Sequence, residues 1–477
     1  MLTNISIKNF KSFSGTQSLD LAPITLIFGP NSSGKSTIIQ SLLGMKQTLS
    51  TPQKQAGFIA NGSCLDLNSF VSLIHGHDVG KEIELSFSFT YNLSAQEYQD
   101  IFSERQFLAS SDIRKVGFTY AHKEKSEDDI SSCFLKEFKY EISNSSDKEN
   151  KLKLNIIKGD KNFTSELSEN YYGDSATIRS LSSFILKRIE RISDDNSSIL
   201  NKMIIKSINK NIFKVNKNVS IPMTLHGETF SDFTNNYLGI LSNEVSHEFN
   251  SIKYLGPLRT TPKRFYLSGK DNAVKMKGES NLGGELYESG SEVVKEINKW
   301  MKSFEIPYEL SVKNFGSEIS GDIISIVLKD ERNDTLVTPM DVGFGIGQVL
   351  PIITDAIISR NNTLCVEQPE IHLHPRLQAH LADLFIDSVL AENKNKNGAQ
   401  KTKNQWIIET HSESLILRMQ RRIREKKINK ELVKVYYVTA ENEGSKIINL
   451  PLDDDGDFTA HWPHGFFDER VSEIFGG

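Results

Sequence analysis

The spacing of hydrophobic residues predicts a strand, a turn and a helix in the first part of the chain. Residues 24–28 (Ile-Thr-Leu-Ile-Phe) form an apolar, β-branched run that ends at a glycine, as buried strands do. Residues 38–45 then place isoleucine, leucine and methionine at the spacing of one helix face. Farther on, residues 83–89 alternate hydrophobic and polar side chains, which predicts a strand with one face in water.

The pattern weakens in the middle of the chain and becomes regular again towards its end. Between about residues 92 and 250, Asn, Ser, Lys and Asp dominate, and the predicted strands are short. Apolar runs return at residue 252, and those at 363–366 and 406–408 each lead into a glutamate. We therefore expect an α/β protein with a partly helical insertion and a short β-rich tail. The expected segments are an N-terminal lobe at 1–91, the insertion at 92–250, a C-terminal lobe at 251–431 and the tail at 432–477.

The bulk composition limits the class of protein without deciding it. A chain of 477 residues is too long for one ordinary core, so we expect two structural units. The formal net charge of -5 neither requires nor excludes a nucleic acid partner. The three cysteines have no metal or disulfide spacing, and no apolar run approaches the ~20 residues of a membrane span. We expect a cytoplasmic protein without membrane contact.

The segment from Gly29 to Ser36 fits the phosphate-binding pattern G-x-x-x-x-G-K-[ST]. Its two glycines allow backbone angles that turn successive N–H groups towards a phosphate, and Lys35 neutralises phosphate charge. The Ser36 hydroxyl is placed to ligate Mg²⁺, and the following helix adds its positive end to the anion site. We expect ATP with Mg²⁺ to bind here. The phosphate-binding candidates are Gly29, Asn31, Ser32, Ser33, Gly34, Lys35, Ser36 and Thr37.

Two predicted strands carry acidic residues to the sheet edge at which a phosphate loop lies. One strand runs into Glu-Gln-Pro-Glu at 367–370, and the other runs into Glu-Thr-His at 409–411. Because the carboxyl ends of parallel strands share one edge, Glu367 is the candidate for holding Mg²⁺ beside Ser36. His411 is placed to reach a γ-phosphate or its attacking water. The catalytic candidates are Gln368, Glu370 and His411.

The order of these motifs is that of a known family. A glycine-rich segment at 342–351 follows the phosphate loop, and Ile-His-Leu-His-Pro follows the first acidic strand end. With Glu-Thr-His-Ser at 409–412, this order resembles the ABC-type ATPase heads of the OLD, RecF and SMC group. Within that group it is most similar to ATP-binding proteins of phage-defence operons, such as the ATPase subunit of Septu. Further matching segments lie at 7–13, 254–259 and 462–469, and residues 92–250 match no motif.

The resemblance implies an ABC-type head, a sandwich of mixed sheets with helices, whose ATP site is shared between two subunits. Gly345, Gly347 and Gln348 would belong to the signature segment, which caps the ATP of a neighbouring head through a helix N-terminus. His411 would be the switch histidine, and Lys11 would lie near the nucleotide. The protein is therefore expected to oligomerise with itself.

Two departures from the family's pattern predict slow or absent ATP hydrolysis. The metal strand usually ends in Asp-Glu, where the glutamate polarises the attacking water, but here the pair is Glu367-Gln368. A glutamine orients water by hydrogen bonds and cannot accept a proton at neutral pH. The signature serine is also replaced by glycine. Glu370 is then the remaining candidate for the base.

Several charged clusters leave two interpretations open. One stripe is either the solvated face of a packed helix or a contact for nucleic acid phosphates or an acidic partner, and it consists of Lys202, Lys206, Lys210 and Lys214. The basic run at 418–427 leaves the same choice. The acidic run at 453–457 resembles a metal site but also fits a turn. The histidines at 75 and 77 would need a third ligand to bind a metal, and the sequence offers none at a suitable spacing.

These motifs lead to a functional expectation and two alternatives. We expect an ATP-binding regulatory subunit of a prokaryotic antiviral complex that controls a separate nuclease effector. OLD-type nucleases carry a Toprim domain after the head, whereas only 66 residues follow His411, fewer than the ~100 that such a domain needs. The first alternative is a DNA-repair ATPase of the RecF or SMC type that clamps DNA directly. The second is a housekeeping hydrolase that uses the loop for another nucleotide.

Overall fold

The computed structural model describes most of the chain. The described residues are 1–51, 57–90, 113–123, 132–143, 151–158, 163–170, 244–259, 262–268, 281–317, 319, 321–391, 393–395, 398–400 and 404–463. The chain divides into two compact units, unit 1 (residues 1–20 and 40–250) and unit 2 (residues 21–39 and 251–477). The stripe formed by Lys202, Lys206, Lys210 and Lys214 lies outside the described residues.

Unit 1 contains a seven-stranded antiparallel sheet with the strand order β2-β1-β4-β5-β6-β7-β8. Its strands are β1 Leu2–Lys8, β2 Gln17–Asp20, β4 Ile83–Phe89, β5 Ile113–His122, β6 Cys133–Ser143, β7 Lys151–Lys158 and β8 Phe163–Asn170. The alternation at 83–89 is confirmed as a strand, because Ile83, Leu85 and Phe87 are buried while the polar residues between them are half-buried. Helix α1 (Lys35–Ser50) contributes residues 40–50, and a short helix α2 follows at Phe70–Leu73.

A buried ion pair joins strand β5 to the helical segment at 244–250. The Arg114 Nε atom donates to the Glu244 carboxylate at 3.1 Å, and the Tyr140 hydroxyl donates to the same oxygen at 2.7 Å. Arg114 and Glu244 are inaccessible to solvent. Since a buried charge without a partner destabilises a protein strongly, each member of this trio needs the others. The trio therefore ties strands β5 and β6 to the helical segment at 244–250.

Unit 2 contains the strand that leads into the glycine-rich loop. Its six-stranded sheet has the order β19-β18-β3-β17-β14-β9, with parallel pairing except between β18 and β19. The strands are β3 Ile24–Phe28, β9 Ile252–Leu255, β14 Thr363–Glu367, β17 Gln405–Glu409, β18 Val433–Glu441 and β19 Gly444–Asn449. A smaller sheet, β10-β12-β11 with β13 beside β12, consists of β10 Tyr266–Ser268, β11 Tyr308–Asn314, β12 Asp322–Asp330 and β13 Leu336–Val337. The described residues of this unit also include a hairpin of β15 Asn393–Asn395 and β16 Gly398–Gln400.

Four longer helices pack in unit 2. They are α3 Leu282–Ser303, α4 Phe344–Ile358, α5 Pro375–Leu390 and α6 Glu413–Arg424. Their apolar sides form one core with the central strands, in which Leu26, Val366 and Ile408 are fully buried. Among the described residues, the helices are all too short or too polar to cross a membrane. The mixture of sheets and helices confirms the predicted α/β class.

The strand order brings three predicted segments to one edge. Strand β17 lies between β3 and β14, and the three run parallel. Their carboxyl ends therefore meet at the same edge of the sheet, where open α/β sheets bind ligands. The loop after β3, the residues after β14 and those after β17 are neighbours for this reason.

Candidate functional site

The loop after β3 has the backbone of a phosphate cradle. Gly29 and Gly34 have φ angles of +145° and +103°, which side-chain-bearing residues rarely adopt. A Cβ atom at Gly29 would lie 2.2 Å from the Val438 carbonyl oxygen, so no larger residue fits there. Asn31 and Ser32 are exposed at the tip of the loop.

The Ser33 hydroxyl is a buried polar group inside the cradle. Within the described part of the chain it has no hydrogen-bond partner, although buried polar atoms nearly always have one. Thr37 closes the loop, because its N–H donates to the Gly34 carbonyl at 3.1 Å as helix α1 begins. A donor inside a loop at a helix N-terminus suits a phosphate oxygen.

Lys35 lies at the centre of the site. Its Nζ atom donates to the carbonyls of Gly29 at 3.0 Å and Pro30 at 2.8 Å, and it lies 3.9 Å from a Glu409 oxygen. Burial lowers the pKa of Lys35, while the nearby carboxylates, led by Glu409, oppose that shift. The ammonium group is therefore an electrostatic partner for the negative groups around it.

Glu409 is the functional residue that sequence reasoning undervalued. Its carboxylate accepts a hydrogen bond from the Ser36 hydroxyl at 2.7 Å, and the residue is almost fully buried. Burial raises the pKa of Glu409, and the contacts with Ser36 and Lys35 partly offset the rise. The signal was present in the sequence, since Glu409 ends an apolar strand as Glu367 does.

Glu367 lies beside Glu409 but has a different partner. The two glutamates are register partners on β14 and β17. The Tyr254 hydroxyl donates to Glu367 Oε1 at 3.2 Å, and burial together with this carboxylate raises the pKa of Tyr254. The predicted metal residue Glu367 therefore lies in the site, whereas the Ser36 hydroxyl contacts its neighbour Glu409.

Gln368 occupies a constrained turn. Its φ angle is +45°, in the left-handed region that costs a residue other than glycine about 1 kcal/mol or more. The Gln368 N–H donates to the Glu409 carbonyl at 2.7 Å, and its own carbonyl accepts from Ile371 at 3.2 Å. The backbone after β14 is thus fixed to β17, and the glutamine side chain leaves from a defined position.

Glu370 is held by the segment that follows β17. One of its oxygens accepts from the His411 N–H at 2.7 Å, and the other accepts from the Thr410 hydroxyl at 2.8 Å. Burial raises the pKa of Glu370, and these hydrogen bonds partly offset the rise. Both carboxylate oxygens already position backbone and side chain, so Glu370 contributes to the placement of His411.

Each residue of the Glu-Thr-His-Ser segment has a defined contact. His411 is half-buried, and burial with the Lys35 charge lowers its pKa to about 4, which keeps the imidazole neutral near pH 7. Ser412 caps helix α6, because its hydroxyl accepts from the Leu415 N–H at 3.1 Å. The segment therefore contains the Glu409 carboxylate that contacts Ser36, the two groups that donate to Glu370, and the N-cap of helix α6.

The predicted signature residues lie at the start of helix α4. No side-chain hydrogen bond caps this helix, which begins after the exposed Gly343. Gly345 lies close to the His372 carbonyl, and Gly347 lies close to the Pro262 ring. The Gln348 side chain is only 2% exposed. Gln348 therefore faces the interior of unit 2, so it cannot itself touch a nucleotide on another subunit in this arrangement.

Gln348 binds a buried arginine instead. Its amide accepts from the Arg259 backbone N–H at 3.3 Å and donates to the Arg259 carbonyl at 3.4 Å. The Arg259 guanidinium then donates to the carbonyl of Glu367 at 3.1 Å. Burial lowers the pKa of Arg259 to about 10, so it stays charged near neutrality. Arg259 thus links the start of α4 to the end of β14, a role that the sequence did not indicate.

The remaining charged candidates have partners within their own units. Lys11 lies in unit 1, where its Nζ atom donates to Gln40 at 2.6 Å, and its placement near a nucleotide stays a prediction. His75 and His77 bind backbone carbonyls through Nδ1. These contacts are structural.

The basic run at 418–427 is largely neutralised within the chain. Arg418 and Arg422 both bind Asp383, at 2.7 and 2.6 Å. Arg424 binds Asp457 at 2.8 Å. The acidic run forms a turn, because the Asp453 carboxylate accepts from the backbone of residues 455 and 457. The structure therefore favours the packed-helix interpretation of the basic run and the turn interpretation of the acidic run.

The oxygen donors at the strand ends fit a magnesium ion held together with a nucleotide. Ser36, Glu367 and Glu409 offer hydroxyl and carboxylate oxygens, the ligands that Mg²⁺ prefers. Among the described residues no group of three His, Cys, Asp or Glu side chains could hold a metal ion alone. In nucleotide sites Mg²⁺ takes further ligands from phosphates and waters. Ser36, Glu409 and Glu367 are the residues that would hold it.

The loop, the sheet edge and the residues around Lys35 define a P-loop nucleotide-binding protein of the α/β class. A family model described as "AAA ATPase domain" matches residues 1–416, and the chain belongs to this family. A second model, "Protein of unknown function (DUF3696)", matches residues 428–475. The chain is thus an ATPase-domain protein whose phosphate loop lies within the matched residues. No curated protein matches the sequence.

Solved structures of SMC heads are similar to the chain. The SMC head bound to the C-winged helix domain of ScpA is 11% identical, with 95% of this chain and 98% of that chain covered and a TM-score of 0.44. The SMC head domain from Thermotoga maritima is 12% identical, with 95% and 99% covered and a TM-score of 0.35. A Pyrococcus furiosus SMC head bound to the C-terminal domain of ScpA is 10% identical, with 94% and 96% covered and a TM-score of 0.39.

Proposed function

We propose that this protein is the ATP- and Mg²⁺-binding regulatory subunit of a prokaryotic antiviral complex. The single observation that carries the proposal is a complete phosphate loop beside a strand end that has Gln368 in place of a carboxylate. Membership of an ATPase family supports nucleotide binding. The order of motifs, which is similar to that of defence-operon ATPases, supports the antiviral role.

The residues of the site support ATP binding with slow hydrolysis. Lys35 exchanges the loop carbonyls for phosphate oxygens, and the Ser33 hydroxyl and loop N–H groups complete the cradle. When bound, Mg²⁺ neutralises part of the phosphate charge. Gln368 orients a water without taking its proton, and Glu370 already accepts two hydrogen bonds. ATP then acts mainly as a ligand that sets conformation.

Self-association through the heads follows from the same proposal. The N–H groups in the first turn of α4 have no side-chain cap. They therefore suit a phosphate of the ATP that is bound to a second copy of the chain. Gly345 and Gly347 allow close approach there. A separate nuclease is the proposed effector, in line with the defence-operon ATPases that the order of motifs resembles.

The mass of the protein, alone and with the product of the adjacent gene, tests this proposal. We expect ATP to increase the mass by a whole number of subunits, and we expect a nuclease encoded next to this gene to join the complex. Lys35→Ala is the control, since it removes the phosphate contact. An unchanged mass, with nucleotide-dependent DNA binding by the protein alone, would instead favour the RecF-like alternative.

A further inference from the structure

Two glutamates at this site are candidates for the carboxylate that binds Mg²⁺. Glu367 and Glu409 are paired in register on parallel strands, so their side chains leave the same face of the sheet at its carboxyl edge. Both are buried, with exposures of 7% and 4%. A buried carboxylate favours a cation beside it.

The partners of the two glutamates differ. Glu409 accepts from the Ser36 hydroxyl at 2.7 Å, the group that ligates Mg²⁺ in phosphate loops. Glu367 accepts from the Tyr254 hydroxyl, on the side of strand β9. The strand order explains this difference, because β17 lies next to β3 and the loop, whereas β14 lies one strand farther away.

We propose that Glu409, on the strand next to the phosphate loop, is the principal carboxylate for the Mg²⁺ of the bound nucleotide, with Glu367 in a supporting position. The inference rests on the proposed nucleotide binding and deepens it. Ser36 and Glu409 form one oxygen pair, which holds the metal directly or through its water shell. Tyr254 fixes the Glu367 carboxylate on the far side of the pair.

A simpler role for Glu409 makes a different prediction. The carboxylate lies 3.9 Å from Lys35 and could act only as its counter-ion. Removing a counter-ion changes nucleotide affinity equally with and without metal. Removing a metal carboxylate reduces the benefit that the metal gives. The ratio of the two dissociation constants therefore separates the roles.

The test measures the affinity for a fluorescent ATP analogue in Mg²⁺ and in EDTA. Glu409→Gln is the main variant, because glutamine keeps the size of the side chain and still accepts from Ser36. We expect its ratio of the EDTA value to the Mg²⁺ value to fall about 10-fold or more from that of the natural protein. Glu367→Gln should reduce the ratio less. Glu441→Gln, which removes an exposed carboxylate on β18, should leave it unchanged.

A second readout uses the metal itself. Mn²⁺ bound with the analogue should give an electron paramagnetic resonance signal that Glu409→Gln weakens and Glu409→Asp partly retains. An unchanged affinity ratio in Glu409→Gln, or a larger loss in Glu367→Gln, would overturn the inference while leaving the proposed function intact. Failure of the natural protein to bind the analogue would overturn both.

Discussion

In the proposed function, the residue after Glu367 limits how this site activates water. At Gln368 the backbone is held in a left-handed turn by a hydrogen bond to the Glu409 carbonyl, so the side chain has a defined starting point. A carboxylate at that position could accept a proton, whereas an amide cannot at neutral pH. The backbone therefore fixes where this side chain begins, and under the proposed function the amide in place of a carboxylate keeps hydrolysis slow.

Restoring the acid should restore turnover. We expect Gln368→Glu to raise the ATP turnover number by about 10²-fold or more, within the usual range for general base catalysis. The substitution keeps the size of the side chain, so the affinity for ATP should change little. Phosphate release from the purified variant, compared with Gln368→Asn as the control, checks this expectation. No increase would show that the base is supplied elsewhere.

Glu370 leads to the opposite expectation. If the natural protein has measurable turnover, Glu370→Gln should abolish it and leave ATP binding intact. The structure gives a reason beyond proton transfer, because Thr410 and His411 donate to two different oxygens of Glu370, and in glutamine an NH2 donor replaces one of them. Parallel measurements of turnover and of ATP affinity test this. Full activity in the variant would rule out both roles.

The half-buried, neutral imidazole of His411 predicts a pH dependence of stability. Its pKa in the folded protein is about 4, below the ordinary value of 6.5. The unfolded chain therefore binds a proton as the pH falls below about 6.5, while the folded protein does not until about 4. Stability is lost across that window as the pH falls. His411→Gln should melt with a weaker dependence on pH between 6.5 and 4, and parallel curves for both proteins would contradict the assignment.

At the scale of elements, periodicity located the strands and helices but not their neighbours. The run at 24–28 and the spacing at 38–45 predicted β3 and α1 because burial imposes periods of their own on strands and helices. The position of β17 between β3 and β14 joins segments that are far apart in the chain, and nothing local encodes that order. The contact between Ser36 and Glu409 depends on this order, which is why Glu367 was the more obvious candidate.

The C-terminal segment shows the same limitation. Strand β18 pairs with β3, so the segment predicted as a β-rich tail contributes to the central sheet. Trp462 packs edge-on against Phe28, with 5.3 Å between the ring centroids. Phe28 is the residue immediately before Gly29. The Val438 carbonyl also limits the space at Gly29. The segment matched by the second family model, residues 428–475, therefore packs against the strand end and the first glycine of the phosphate loop.

The contact between Trp462 and Phe28 leads to a prediction about nucleotide affinity. Trp462→Ala should destabilise the protein by about 2–4 kcal/mol and also weaken ATP binding several-fold, because Phe28 loses its support next to the loop. Leu450→Ala is the matched control, since Leu450 is fully buried in the same segment. The control should show a similar fall in melting temperature with an unchanged affinity for ATP. Equal affinities in both variants would limit Trp462 to a structural role.

At the scale of the whole molecule, the phosphate loop and the order of motifs predicted an ATPase from the sequence. The structure shows which residues surround the loop. The family match covers residues 1–416 and agrees with the predicted kind of ATPase. The side-chain placements that matter most, Gln348 facing inward and Arg259 linking α4 to β14, depend on packing that single-residue patterns do not encode. Under the proposed function, the protein is a nucleotide-dependent switch with slow hydrolysis.

The most direct test of this account measures ATP binding and phosphate release in one sample of the purified protein. We predict saturable binding of labelled ATP that Lys35→Ala abolishes, with a turnover number below about one per second, at the low end for enzymes. Absence of binding in the natural protein, or turnover well above that value, would contradict the central claim.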